Sequence, residues 1–190
     1  MGYFDEQIIK TLNAHKSGVQ GDIETGVYIR EELYHFQRVE LFEKRMSLML
    51  PESFEDMPLE RAKLKYPMEQ RPQIIKMNKN GDINFTFSFV EQQMSDNQVE
   101  QIMQLFKRAI KNAQPSNVFH EECVEQINGS TVGWFDYVSN GYDKKLYNMM
   151  YVLSVDEKLV HGVFNCALED AANWRIVALQ VMRSIQEYTK

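Results

Sequence analysis

Phe85, Phe87 and Phe89 alternate with Asn84, Thr86 and Ser88, the period of a strand with one buried face. Gln73 to Met77 precedes it, and Asn80-Gly81 between the two runs predicts a hairpin closed by a tight turn. Four more strand-like segments follow in a row: Val118 to Ile127, Thr131 to Ser139, Lys145 to Val155 and Leu159 to Leu168. Their connections are short, with hairpin signals at Asn128-Gly129 and Asn140-Gly141 and a tight link at Asp156-Glu157-Lys158, so consecutive strands should pair antiparallel. Upstream, Tyr34 to Leu50 is near-alternating and predicts two strands ended by Pro51, although Glu31 to Arg45 also fits a helix.

A different period marks the helices. Val99, Ile102, Met103, Phe106, Ala109, Ile110 and Ala113 recur at three- and four-residue spacing until Pro115 stops them. Ser95 and Gln98 have capping-box spacing, and Met94 and Val99 can clasp across the cap. A closing helix is expected with Asp170 as its cap and Trp174, Val177, Ala178, Val181, Ile185 and Tyr188 as its stripe. Leu59 to Lys65, with Pro58 in its first turn and Tyr66-Pro67 at its end, predicts a short third helix. Near the start, Phe4, Ile8, Ile9 and Leu12 share one side of a short helix, and Ser17, Gly18 and Gly21 then read as a break. Residues 1–26 are therefore expected to be a helical appendage and 27–190 a single domain. Strands, helix, meander, helix is the order of an α+β domain: one antiparallel sheet of six to seven strands with helices on its faces, not a parallel doubly wound sheet.

The meander is apolar on both sides. Tyr147, Met149, Tyr151 and Leu153 lie on one face of a strand whose other face carries Leu146, Met150 and Val152. A sheet with one wet face would alternate more cleanly, so both faces need cover from helices or from a second chain. One arrangement places the helix before Pro115 and the closing helix together on one face, with the short helix or the appendage on the other. The alternative leaves Trp134, Tyr137, Tyr147, Met149 and Tyr151 as a partner groove, a role suited to large aromatics and adaptable methionine.

Composition narrows the partners. Among 190 residues, 44% are hydrophobic and 25% charged, and 21 Lys and Arg against 27 Asp and Glu give a net charge of −6. Such a chain folds without staples and has no general attraction for nucleic acid. The basic run Lys107, Arg108 and Lys111 borders a helix stripe and is expected to be a solvated face. Cys123 and Cys166, both inside strand-like runs, make no disulfide framework. With Asp5 and Glu6 where an export signal would be basic, and no run of ~20 apolar residues, a cytoplasmic protein without membrane insertion is expected.

Catalytic signals are lacking. His120-Glu121-Glu122-Cys123 has ligand-type residues, but on a strand His120 and Glu122 point away from Cys123, so no metal site is expected. His161 and Cys166 sit five residues apart on one strand and hence on opposite faces, which leaves Cys123 with His161 as a cross-sheet pair. Asp136, Asp143, Asp156 and Glu157 are expected at strand edges and turns. No nucleophile elbow, P-loop or dinucleotide fingerprint occurs, so neither an enzyme nor a cofactor is expected. A small-molecule pocket near Cys123, His161 or Asp136 is the alternative to a protein-binding role.

The segment from Phe42 to Lys190 resembles the PsbP/DcrB-like domains, through LFEKRMSLMLPESFEDMP, the hairpin at Asn80-Gly81, the helix before Pro115 and the final NWRIVALQVMRSI. The resemblance implies an α/β/α sandwich around an antiparallel sheet. It also implies non-enzymatic binding, since the superfamily includes an extrinsic photosystem subunit, a nuclear-import factor that binds the small GTPase Ran, and bacterial chaperones of secreted effectors. An adaptor for another protein, a secretion-associated chaperone among the roles implied, follows from it, and a homodimer is a further expectation. The matching positions are scaffold positions, so no functional residue carries over.

Overall fold

The computed structural model describes residues 19–67, 69 and 71–188. The helix expected over Phe4 to Leu12 lies outside them. Strands β1 (Val19–Asp22), β2 (Gly26–Ile29) and β3 (Glu32–Tyr34) form a small antiparallel sheet. β4 (Phe36–Leu41) and β5 (Met46–Pro51) pair next, with β13 (Gln186–Glu187) beside β5. The remaining strands make one seven-stranded antiparallel sheet in the order β6-β7-β8-β12-β11-β10-β9. They are β6 (Glu55–Asp56), β7 (Ile74–Met77), β8 (Asn84–Gln93), β9 (Val118–Ile127), β10 (Ser130–Asn140), β11 (Lys145–Val155) and β12 (Lys158–Ala167). Helices α1 (Leu59–Lys65), α2 (Val99–Ala113) and α3 (Ala171–Arg183) complete the described chain. The fold is α+β, as the order of periods predicts.

Strand structure begins upstream of Val27. Residues 19–26, read as part of a helical appendage, form β1 and the turn into β2, and the Ile23 amide donates to Gln180 Oε1 at 3.1 Å. Buried Ile23, Val27 and Ile29 tie this hairpin to the main core. These strands are too short to show a period, which is why alternation alone passed over them.

The two long helices take opposite faces, against the expectation that they share one. β8 and β9 run in the same direction with β12, β11 and β10 between them. The connection between them must cross one face of the sheet, and α2 is that connection. It lays Val99 and Met103 on Phe135, Met150, Val152 and Leu159. Contact is close enough that a Cβ at Gly133 would meet Val99 Cγ1 at 2.9 Å. On the other face, Trp174, Val177, Ala178 and Val181 of α3 join Met46, Leu48 and Leu50 of β5 over Tyr147, Met149, Tyr151 and Phe164. α1 covers a lesser cluster through Ala62, with Ile75 and Met77 beneath it.

Local signals fare unevenly. The capping box of Ser95 and Gln98 is present, opening on a 3-10 turn that leads into α2. At the closing helix Asp170 makes no cap hydrogen bond, because its carboxylate is held by Arg30 at 2.8 Å. That helix ends before Ile185 and Tyr188. Ser184 Oγ donates to the Val181 carbonyl at 2.6 Å and accepts the Met49 amide at 2.8 Å, so tertiary pairing with β5 ends the helix there. Asn128-Gly129 makes the expected primed turn, with φ of 50° and 93°. Asn140-Gly141 instead opens a longer turn, in which the Gly141 amide donates to the Lys144 carbonyl.

Asp156 and Glu157 adopt the same primed turn without glycine, at φ of 50° and 56°. A left-handed backbone is strained for a residue with a Cβ. Glu157→Gly is therefore expected to stabilise the fold by about 0.5–1 kcal/mol. Urea unfolding of the two proteins, at equal denaturant slope, measures the shift.

Candidate binding cleft

Four of the five residues proposed as a partner groove are core residues. Trp134, Tyr147, Met149 and Tyr151 are buried beneath α3 and β5, and the indole of Trp134 donates to Glu125 Oε1 at 2.7 Å. Tyr137 lies on the α2 face, half-buried against Phe119 at 5.3 Å, where burial pushes its phenol up to about 12. The surplus of apolar surface seen in the sequence is real, and the chain's own helices and small sheet shield it.

Asp136 is not at a solvated edge. It is fully buried at an irregularity between β9 and β10, where its Oδ1 accepts the Glu121 amide at 2.8 Å. Oδ2 accepts from Tyr147 Oη at 2.9 Å and from Arg175 Nε at 2.8 Å, and Arg175 Nη2 continues to Glu121 at 2.6 Å. Burial works against the Arg175 charge, but bonding to Asp136 holds the guanidinium above its ordinary value. Burial, reinforced by the Asp136 charge, pushes the Tyr147 phenol well up. These bonds join α3 to the sheet, so the cluster acts as a clamp between them.

Cys123 and His161 cannot form a pair. Cys123 stands in register with Trp134, which stands in register with Tyr151 and then Gly162, so it shares the α3 face. His161, one residue before Gly162, faces α2 and packs on Phe106 at 5.2 Å, where burial lowers its pKa. Cys166 is buried and its thiol pushed well up by that burial. Among the described residues no three His, Cys, Asp or Glu side chains are placed to hold a metal ion, and no helix is long and apolar enough to cross a membrane. The basic run on α2 is engaged locally: Lys107 pairs with Glu122, and Lys111 donates to the Asn117 carbonyl at 2.7 Å.

A cleft of about 530 Å³ opens elsewhere, where three loops meet at one end of the sheet. The β2–β3 turn brings Arg30, Glu31 and Glu32, the β7–β8 loop brings Asn78, Asn80 and Asp82, and the entry to α3 brings Glu169 and Asp170. Each contribution has a local cause. Arg30 takes a left-handed φ of 58°, which turns the hairpin. Asn78 Oδ1 accepts the amides of Asp82 and Ile83, both at 3.1 Å, and so shapes the second loop. Trp174 and Tyr34 line the inner wall edge to face, their centroids 5.1 Å apart.

Charge in this cleft is unbalanced. Glu31, Glu32, Asp82, Glu169 and Asp170 surround it, and among the described residues of its lining Arg30 is the one cation. Burial raises the Asp170 carboxyl, Glu169 and Asp82 add to the rise, and Arg30 and Lys144 only partly offset it. Tyr34, bonded to Glu32 at 2.6 Å, is also pushed well up, first by burial and then by that contact. The sequence marked Asn80-Gly81 as a turn, Asp170 as a helix cap and Trp174 as a stripe residue, but local signals do not show that the fold gathers them at one cleft.

No protein-family model matches the sequence, and no curated protein is significantly similar to it. Solved structures are similar in fold. The cyanobacterial PsbP protein CyanoP from Synechocystis superposes with a TM-score of 0.60 at 11% identity, over 80% of this chain and 92% of its own. LpqN of Mycobacterium tuberculosis, described as involved in cell envelope biogenesis, gives 0.55 at 9% identity, over 84% of this chain and 94% of its own. A protein from Bacteroides thetaiotaomicron gives 0.52 at 8% identity, over 81% of this chain and 49% of its own. The chain has the PsbP-like fold, an antiparallel sheet with helices on both faces.

Proposed function

We propose that this is a non-enzymatic protein-binding domain whose cleft receives a lysine- or arginine-bearing segment of another polypeptide. The observation that carries the reading is the cleft's excess of negative charge, five carboxylates in a lining where Arg30 pairs with Asp170, beside an aromatic wall. Repulsion among the carboxylates is relieved when a cation enters, and an aromatic face adds attraction for it. A secretion-associated chaperone is one role of this kind, and a reducing compartment such as the cytoplasm suits the two unpaired cysteines.

The test is calorimetric titration with a short peptide of alternating arginine and lysine, at low and physiological salt. Binding that weakens with salt, and falls about tenfold or more in the combined variant Glu31→Gln, Asp82→Asn, Glu169→Gln, is expected. Affinity should also drop as pH falls through the raised range of Asp170, because that carboxyl takes up a proton before an ordinary aspartate does. Equal binding by wild type and variant would overturn the reading. The cleft's volume also suits a small molecule, and preference for a free polyamine over the peptide would favour that second reading.

A further inference from the structure

We propose that the outer edge of β9 is a homodimer interface, pairing antiparallel with the same strand of a second copy about a two-fold axis at Val124. The large sheet ends unequally: β6 has 2 residues, whereas β9 has 10, and among the described residues no strand pairs with its outer side. Counting from the turn at Asn128-Gly129, closed by Ile127 and Ser130, fixes which backbone groups are spent. Ile127, Glu125 and Cys123 direct theirs to β10, so Glu122, Val124 and Gln126 present amide and carbonyl groups outward.

Edge strands are usually guarded by charges that repel a second strand. Here the carboxylates are drawn back onto the chain's own flanks. Glu121 bonds Arg175 at 2.6 Å, Glu122 pairs with Lys107, and Glu125 takes Arg183 at 3.0 Å. The strand is also complementary to itself. With Val124 on the axis, Glu122 stands opposite Gln126 of the partner subunit and Cys123 opposite Glu125 of the partner subunit, so no carboxylate faces another. Moving the axis one residue to Cys123 would set Glu121 against the partner's Glu125, which like-charge repulsion disfavours. Val124, 40% exposed, stands on this edge on the α2 side, in register with Gly133. A two-fold contact brings the two copies of Val124 together and leaves one sheet continuous through both copies.

Sedimentation velocity on the full chain, with two variants, tests this. Wild type is expected to be dimeric at micromolar concentration. Val124→Pro removes an outward amide that the β10 ladder does not use, so it should give a monomer with unchanged circular dichroism. In a Cys123→Ser background, Val124→Cys should form an intermolecular disulfide on mild oxidation, because residues on the axis face each other at about 5.5 Å between Cα atoms. Glu122→Cys in that background should not, since it faces Gln126. A monomeric wild type, a dimer that survives Val124→Pro, or equal cross-linking at both positions would overturn the proposal.

Discussion

Replacing Asp136 with alanine is expected to destabilise the domain by about 3–5 kcal/mol, the range for removing one partner of a buried ion pair. The carboxylate satisfies three donors at once, namely the Glu121 amide, the Tyr147 hydroxyl and Arg175 Nε. Without it, the phenol and the amide lose their acceptor, and among the described residues the guanidinium keeps only Glu121. Asp136→Asn preserves the volume but not the charge, so it should recover only a minor part. Arg175→Met, which gives α3 an apolar side chain of similar reach, tests whether the loss belongs to the pair. If it does, the double variant Asp136→Ala, Arg175→Met loses less than the sum of the single ones, by about 1–3 kcal/mol in a denaturant-based cycle. Additive losses would mean that α3 is held to the sheet by its apolar stripe alone.

That cluster also shows where reading a sequence stops. Asp136 sits between Phe135 and Tyr137, and its own face carries Val132, Trp134 and Val138, so its place among apolar residues was visible. What was missing was the cation: Arg175 is 39 positions away on another element. The four meander strands, the hairpin into β8 and the stripe of α2 were legible because period and turn chemistry are local properties. Which helix covers which face was not, since alternation says only that a face needs cover, while the crossing from β8 to β9 decides what supplies it. The end of α3 illustrates the same limit. Ile185 continues the apolar stripe, but the bond from Met49 to Ser184 terminates the helix. The cleft was hidden for the strongest reason, as its three loops carry residues that turns use everywhere.

Gly162→Ala is expected to be nearly as damaging as the loss of Asp136, at about 3 kcal/mol, through overpacking and not through charge. Tyr151 stands directly across from Gly162 in the β11–β12 register, and its ring lies over the glycine where a side chain would begin. A Cβ there falls far inside van der Waals contact with the ring's far end. Ring tips normally yield, but Tyr151 is 2% exposed and belongs to the main core with Phe87 and Trp134. Its hydroxyl is buried without a hydrogen-bond partner among the described residues, so packing alone sets the ring's position. Two consequences separate this account from a simple loss of backbone freedom at a glycine. Tyr151→Phe, which removes an unsatisfied hydroxyl, should be neutral or stabilising by up to about 1 kcal/mol. Gly162→Ala combined with Tyr151→Leu should cost less than the two changes added, because the shorter side chain vacates the space the methyl needs. If the alanine variant unfolds at the wild-type denaturant midpoint, the ring has room to move, and the close contact between β11 and β12 is not a determinant of stability.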